Sequence, residues 1–248
     1  MKQPTSERVL SNSRERKVIN LDSEDNDTNT TDAAGACLQF HRLPMKPEPA
    51  PTGKYRWYHI RFEGGLGGQS DVDINKGRCS AVIPAWALLA AVYNEYDFHL
   101  ASIEVGESNA SIATTADLIV CVRSGEAAEF VKAQEEGINE WLREEYGAND
   151  PHIHCTIEKC DKRETVIPTA TFEALMSCLE QIPQGVVKMS ETMKDAVETS
   201  NNVGRISTEG DHLLVSTQTR SVIDADMRQL SQDIADTFAS FGGQSEIV

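Results

Sequence analysis

The chain has 248 residues, of which 40% are hydrophobic and 25% charged, a composition typical of a soluble protein with a buried core. Acidic residues outnumber basic ones 39 to 23, and the formal net charge of -16 argues against nucleic acid and anionic membranes as partners, because both attract clusters of Lys and Arg. The longest apolar run, Cys79–Val92, contains a proline and is shorter than the roughly 20 residues of a membrane span, and no secretory signal is recognisable. We therefore expect a cytoplasmic protein that binds neither nucleic acid nor membrane.

The first 53 residues have an irregular pattern. Residues 1–16 are polar and are predicted to be a disordered start, whereas residues 17–21, KVINL, predict a short buried strand. Asp22 follows that strand directly, and the carboxyl ends of buried strands are where α/β enzymes place ligands and catalytic groups. The segment 42–53 contains four prolines, which favour an extended connector and a domain boundary.

A regular pattern of strands and helices begins after residue 53. The alternation of residues predicts strands at 55–62, 98–105, 112–122 and 153–160, and helical spacing predicts helices at 76–96 and 126–146. This is the strand–helix–strand–strand–helix–strand order of a ferredoxin-like split βαβ layer. A helix beginning at Thr169, a hairpin around Glu209–Asp211 and a final helix after Asp224 extend it. The predicted fold is therefore of the mixed α/β class.

A glycine-rich turn, GGLGGQ, begins at Gly64 between a predicted strand and a predicted helix. It lacks the Gly-Lys-Ser/Thr of a phosphate-binding P-loop, and its glycine spacing differs from the GxGxxG of dinucleotide-binding proteins. A tight turn is the favoured interpretation of this segment, and a ligand cradle is the alternative.

Four stretches together resemble one family: VINLDSED at 18–25, the turn GGLGGQSDVDINKGR at 64–78, VKMSETMKDAVETSNNVG at 187–204 and TQTRSVIDAD at 217–226. In this order and at these separations they resemble aminoacyl-histidine dipeptidases, also called Xaa-His or cytosol non-specific dipeptidases, which are di-zinc metallopeptidases. The resemblance extends from residue 17 to about residue 243. In that family a catalytic α/β domain holds the zinc ions, and an inserted lid domain covers the substrate and commonly carries dimer contacts.

The resemblance implies a domain division. Residues 17–53 would be a remnant of the catalytic domain and a connector, residues 54–243 the lid or dimerisation domain, and residues 244–248 a tail. The fold would then be an α+β lid preceded by a short piece of an α/β metallopeptidase domain.

The resemblance also implies roles for individual residues. The family's turn reads Gly-Gly-His-Ser-Gly, and Gln69 stands where its oxyanion-stabilising histidine would be. An amide donates a hydrogen bond but does not titrate, so this contact would be weakened. Arg220 matches a family arginine that could hold the substrate carboxylate, although a surface arginine paired with a nearby acid is an equal alternative. Asn109 corresponds, one position displaced, to a substrate-contacting asparagine, and Asp22 would be a zinc ligand.

The metal ligands decide whether this chain is expected to act as an enzyme. The family's other zinc ligands and its general base, a His-x-Asp pair, a Glu-Glu pair and a late histidine, have no counterpart in the matched stretches. A single carboxylate cannot hold two zinc ions or activate a bound water. We expect no zinc on this chain alone and hydrolysis of a dipeptide substrate only after complementation. Two alternatives are a non-catalytic module that forms homodimers or docks on a full-length relative, and a small-molecule-binding regulator.

Overall fold

The computed structural model describes residues 34–93 and 95–248. Within them are eleven strands, β1 (Gly35–Pro44), β2 (Glu48–Pro49), β3 (Tyr55–Glu63), β4 (Phe98–Val105), β5 (Ala116–Arg123), β6 (His154–Lys159), β7 (Thr165–Val166), β8 (Gly185–Met189), β9 (Val197–Glu209), β10 (His212–Ser221) and β11 (Gln244–Ile247). The same residues form four helices, α1 (Val82–Tyr93), α2 (Ala127–Tyr146), α3 (Thr169–Gln181) and α4 (Asp224–Ser240). The mixed α/β class predicted from the sequence is confirmed.

Nine of these strands form one antiparallel sheet in the order β11-β1-β10-β9-β4-β5-β3-β6, and β8 pairs with β9 beside this path. The hairpin β9–β10 is long and closely paired, from His212↔Glu209 to Ser221↔Thr199, with a bulge opposite Ser216 and Thr217. The short strands β2 and β7 pair with each other in a separate sheet. The predicted hairpin around Glu209–Asp211 is therefore confirmed.

The main core lies between the helices and one face of the sheet. Alternate residues of the central strands, such as Ile60, Phe62 and Leu118, are buried together with Phe130 of α2 and Leu175 of α3. This alternation follows from the two-residue period of a strand, which places every second side chain on the same face. The opposite face carries a smaller cluster of Trp57, Ile119, Cys121 and Val166, the last from β7.

Below α4, the face of the sheet that carries the main core also includes buried polar residues. Gln39 and His41 of β1 are fully buried, and Gln39 donates a hydrogen bond to the carbonyl oxygen of Ser231 on α4 at 3.0 Å. The His41 ring stacks on Phe238, with ring centroids 4.1 Å apart. A hydrogen bond from Gln39 and the stacked ring of His41 therefore join β1 to α4.

The structure differs from the sequence-based prediction at both ends of the regular region. Residues 35–44, predicted within a remnant and connector, form β1 of the main sheet, and the compact unit extends from Ala34 to Val248. Buried polar residues such as Gln39 and His41 conceal the hydrophobic alternation of this strand. Residues 244–247, predicted as a tail, form β11 and pair with β1.

The first predicted helix is shorter than expected. It begins at Val82 instead of residue 76, so that Pro84 lies in its first turn, where a missing N–H breaks no helical hydrogen bond. Asp22 and the strand predicted at 17–21 lie outside the described residues. Among the described residues, no helix is both long enough and apolar enough to cross a bilayer.

Candidate functional site

The glycine-rich segment forms a tight turn that passes close to other parts of the chain. Gly67 and Gly68 have positive φ angles of 61° and 132°, which residues with a side chain rarely adopt. A Cβ atom on Gly68 would lie 2.4 Å from a carboxylate oxygen of Asp73, and one on Gly67 would lie 2.4 Å from the methyl group of Thr114. The glycines therefore serve the geometry of the turn, as the favoured interpretation predicted.

A buried carboxylate anchors the start of the turn. Asp150 is fully buried and accepts hydrogen bonds from the backbone N–H of Leu66 at 3.0 Å and of Cys79 at 3.2 Å. Sequence reasoning missed this residue because it follows the end of α2 in a polar stretch that resembles an ordinary loop. Burial raises the pKa of the neighbouring Cys79 thiol to about 12, so this sulfur is protonated at neutral pH and is not a nucleophile.

A second carboxylate holds the tip of the turn. Asp73 accepts a hydrogen bond from the backbone N–H of Gln69 at 2.8 Å and another from the Lys76 ammonium at 2.6 Å. The hydrogen bond from Lys76 is the main reason why the pKa of Asp73 lies below its ordinary value. The position of Gln69 is therefore fixed through its own backbone.

The turn is docked on β10 by two side-chain contacts. The hydroxyl of Ser70 donates to the amide oxygen of Gln218 at 2.7 Å, and a guanidinium nitrogen of Arg220 lies 2.9 Å from a carboxylate oxygen of Asp71. Gln218 and Arg220 are two positions apart on one strand, so their side chains share a face. This face is opposite the one on which the core residues of β10, Leu213 and Val215, are buried.

The loop between β4 and β5 joins the site through Asn109. Its side-chain oxygen accepts a hydrogen bond from the Ser216 hydroxyl at 2.7 Å, and the amide of Asn202 on β9 donates to the carbonyl oxygen of Ser111 at 2.9 Å. Gly204 lies below this loop, and a Cβ atom there would come within 2.6 Å of the Asn109 carbonyl oxygen. The amide of Asn109 therefore faces the sheet and stabilises the loop.

Gln69 lines an open cavity of about 400 Å³ beside the turn. It also forms an antiparallel bridge with Ser111. The full lining consists of Gly68, Gln69, Asp73, Glu107, Ser108, Ser111, Ile112, Ala113 and Thr114. This lining combines amide and hydroxyl groups with two carboxylates and with apolar side chains, so the cavity can form hydrogen bonds with a small ligand.

The structure brings three of the four residues predicted from the sequence into one region. Gln69 pairs with Ser111, Asn109 belongs to the same loop as Ser111, and Arg220 contacts the turn through Asp71. The pairing of Arg220 with a neighbouring acid, which was one of the two alternatives for this residue, is present. Asp22 lies outside the described residues, so its predicted role as a zinc ligand stays a prediction.

The donor groups of this region do not match a zinc site. Across residues 34–93 and 95–248 no group of three or more His, Cys, Asp or Glu side chains is arranged to hold a metal ion. Two carboxylates of the turn are engaged in ion pairs, Asp73 with Lys76 and Asp71 with Arg220.

Comparisons with known proteins support the resemblance seen in the motifs. The chain is 23% identical to the cytosol non-specific dipeptidase of Escherichia coli (strain K12) over 208 aligned residues. The aligned region covers 84% of this chain and 42% of that protein. The structure of the present chain matches the crystal structure of aminoacylhistidine dipeptidase from Vibrio alginolyticus with a TM-score of 0.83 and 26% sequence identity. This match covers 87% of the present chain and 44% of the Vibrio alginolyticus chain. An amidase of the hydantoinase/carbamoylase family from Burkholderia multivorans aligns with a TM-score of only 0.35.

No protein-family profile matches the sequence. The chain spans less than half the length of the two dipeptidases that it matches. The predicted resemblance to aminoacyl-histidine dipeptidases is nevertheless confirmed in both sequence and fold, and the chain is a homologue of part of these proteins.

Proposed function

We propose that residues 34–248 act as the substrate-covering lid and dimerisation region of a dipeptidase-like metallopeptidase, and that this chain alone does not hydrolyse dipeptides. The observation that carries the proposal is the docking of the glycine-rich turn on β10, where Gln69, Asn109 and Arg220 occur together in a fold that matches a dipeptidase with a TM-score of 0.83. These are the positions at which the family resemblance places contacts to the substrate.

The connectivity of the central strands supports a lid of the ferredoxin-like type. The chain runs β3-α1-β4-β5-α2-β6, and the corresponding strands are ordered β4-β5-β3-β6 in the sheet. This order is the one expected of a split βαβ unit, in which the two strands of each βαβ are separated by a strand of the other. The long hairpin β9–β10 adds the surface that carries Arg220.

The proposed division of labour assigns binding to this chain and activation of water to zinc ligands elsewhere. Gln69 offers an amide hydrogen bond to an oxyanion but no positive charge. A substitution that removes one oxyanion donor typically lowers the rate by about 10²–10³. When bound, zinc would supply the hydroxide and polarise the scissile carbonyl, and this chain would orient the substrate beneath it.

The exposed surface near β8 supports the interaction role. Val187, Met189 and Met193 are 45%, 43% and 56% exposed, and within residues 34–93 and 95–248 the one pairing partner of β8 is β9. An open strand edge with apolar side chains is suited to pairing with another polypeptide. Docking through this edge, on a second copy or on a full-length relative, is part of the proposal.

Two measurements test the proposed function. The purified chain, incubated with an Xaa-His dipeptide and added zinc, is expected to release no histidine, whereas turnover that a chelator abolishes would overturn the division of labour. Nuclear magnetic resonance titration with the same dipeptide is expected to shift signals of the cavity around Gln69. Unchanged signals at millimolar dipeptide would overturn the substrate-covering role.

The interaction role is tested by sedimentation of the chain alone and mixed with the Escherichia coli dipeptidase. A homodimer or a mixed complex is expected, and it should weaken when Val187 is replaced by Lys. Replacement of Val72 by Lys is the control, because Val72 is also about half exposed but does not belong to β8. A monomer in both experiments would contradict docking.

A further inference from the structure

Arg220 already holds a carboxylate, and that carboxylate belongs to the chain itself. One terminal nitrogen of the guanidinium lies 2.9 Å from Oδ2 of Asp71. The two side chains are only 21% and 35% exposed, so the pair is partly shielded from water. The geometry demonstrates that a carboxylate fits at this face of β10.

The contact uses only part of the guanidinium. The Nε atom of Arg220 is buried and has no hydrogen-bond partner among the residues that the structure describes. Arginine binds free carboxylates best through two parallel N–H groups, and here a single terminal nitrogen is engaged. The Nε–H bond is parallel to an N–H bond of the other terminal nitrogen, Nη2. A carboxylate bound to these two groups would make two hydrogen bonds where Asp71 makes one, and would therefore bind better than Asp71 does.

Asp71 is held in position by its own turn. Its other oxygen, Oδ1, accepts a hydrogen bond from the backbone N–H of Val72 at 2.9 Å, and the preceding Ser70 is bonded to Gln218. These contacts orient the carboxylate toward Arg220 without any ligand. In the Gly-Gly-His-Ser-Gly turn that the sequence resembles, the residue at this position is glycine, which has no carboxylate to offer.

We propose that Asp71 is an intramolecular occupant of the carboxylate site at Arg220, which a free carboxylate has to displace in order to bind. The ligand class is a small carboxylate, and the assignment of this ligand to the C-terminal carboxylate of a dipeptide rests on the proposed function. Because the turn that carries Asp71 also carries Gln69, displacement of Asp71 couples the filling of the carboxylate site to the position of the amide beside the cavity.

The test compares the wild-type chain with Asp71→Asn, which removes the charge and keeps an oxygen for the Val72 N–H. The probes are acetate, glycyl-histidine and glycyl-histidine amide, and the readout is the Nε–H resonance of Arg220 in a titration. We expect both carboxylates to bind the variant about fivefold more tightly than the wild type, the gain typical of releasing a partly exposed ion pair. The amide should show no gain, because it has no carboxylate.

Two further variants separate this mechanism from a general effect of charge. Glu158→Gln removes one negative charge from an exposed position on β6, at the far edge of the sheet, and should leave the affinities unchanged. Combining Asp71→Asn with Arg220→Gln should abolish the gain in affinity for the carboxylates. Binding to this double variant is followed through the backbone resonances of residues 217–221. If Asp71→Asn does not fold, Asp71→Gly, which restores the glycine of the related turn, replaces it.

The outcomes are distinct. Equal affinities of wild type and variant for acetate, or an equal gain with Glu158→Gln, would overturn the proposal. A gain for acetate without one for glycyl-histidine would support occupancy of Arg220 by Asp71 and would count against the dipeptide as the ligand. A gain in affinity for both carboxylates that is lost on removal of Arg220 would support the occupancy of the site by Asp71 and also the dipeptide as its ligand.

Discussion

His41 is expected to make the stability of the fold depend on pH in the mildly acidic range. The side chain is fully buried in β1, it stacks on Phe238, and its two ring nitrogens lie 2.7 Å from the Ser245 hydroxyl and 3.0 Å from the Thr217 hydroxyl. Burial lowers the pKa of His41 from 6.5 to about 4. The neutral ring is therefore the form that the folded protein accommodates.

The sign of the effect follows from the two pKa values. Between pH 6.5 and 4 the unfolded chain binds a proton at His41 and the folded chain does not, so acid favours unfolding. Stability is fully present above pH 6.5 and falls as the pH drops toward 4. The difference between the two pKa values corresponds to about 3 kcal/mol in total, of which about 2 kcal/mol is lost by pH 5.

The assay is urea unfolding at pH 7.5 and at pH 5.0 for the wild type and for His41→Gln, which removes the titrating group and keeps a polar side chain. The wild type should lose about 2 kcal/mol more than the variant between the two pH values. Other titrating groups, including Glu104, whose pKa burial raises, are common to both proteins and cancel in this difference. His152→Gln, at an exposed position, should behave like the wild type. An equal pH dependence in wild type and His41→Gln would refute the reasoning.

Three further substitutions test how the site is built. Asp150→Ala leaves two backbone N–H groups at the glycine-rich turn without their acceptor and should cost about 1–3 kcal/mol in urea unfolding, whereas Asp150→Asn should cost less; no difference from wild type would contradict the anchoring role. Gly204→Ala places a methyl group within 2.6 Å of the Asn109 carbonyl oxygen and should lower the melting temperature and shift the Asn109 resonances, and an unperturbed spectrum would count against the close approach. Phe130→Ala, between Tyr58 and Tyr96 in the core, should cost about 3–5 kcal/mol in urea unfolding, and a cost below about 1 kcal/mol would show that this part of the core is not tightly packed.

The sequence predicted the central part of the fold well because its strands and helices follow simple periodicities. In β3, alternate residues such as Ile60 and Phe62 are apolar and buried, so the period of two is visible in the sequence. In β5, a continuous apolar run from Leu118 to Val122 indicates a strand buried on both faces. The helix at Ala127–Tyr146 shows its period through Phe130 and Leu142, which are both buried. These elements could be predicted without knowing which parts of the chain pack against them.

The first strand could not be recognised in the same way. Gln39 and His41 occupy core positions in β1, and their hydrogen bonds are made to residues about 170 to 200 positions away, such as Thr217 and Ser245. Local patterns cannot reveal partners at that separation. The proline-rich segment that follows suggested a boundary, although the sheet in fact continues through Pro44.

The candidate site was predictable only to the extent that the family resemblance supplied it. The motifs named Gln69, Asn109 and Arg220, and the structure places them in one region. The contacts that organise that region, from Asp150 to the turn and from Asp71 to Arg220, depend on two carboxylates to which the motifs assigned no role. They depend on the approach of loops that lie about 70 to 150 residues apart in the chain.

From Ser216 to Ser221, β10 is polar on both faces, and this links function to stability. On the helix face, Thr219 donates a hydrogen bond to Asn201, and both are fully buried; on the other face, Ser216 and Gln218 hold the loop and the turn. This part of β10 has no apolar side chain, so its stability depends on satisfied hydrogen bonds, each worth about 1 kcal/mol net. Substitutions at the site therefore also act on the strand pairing that supports it. Binding and unfolding have to be measured together before a change in affinity is assigned to a lost ligand contact.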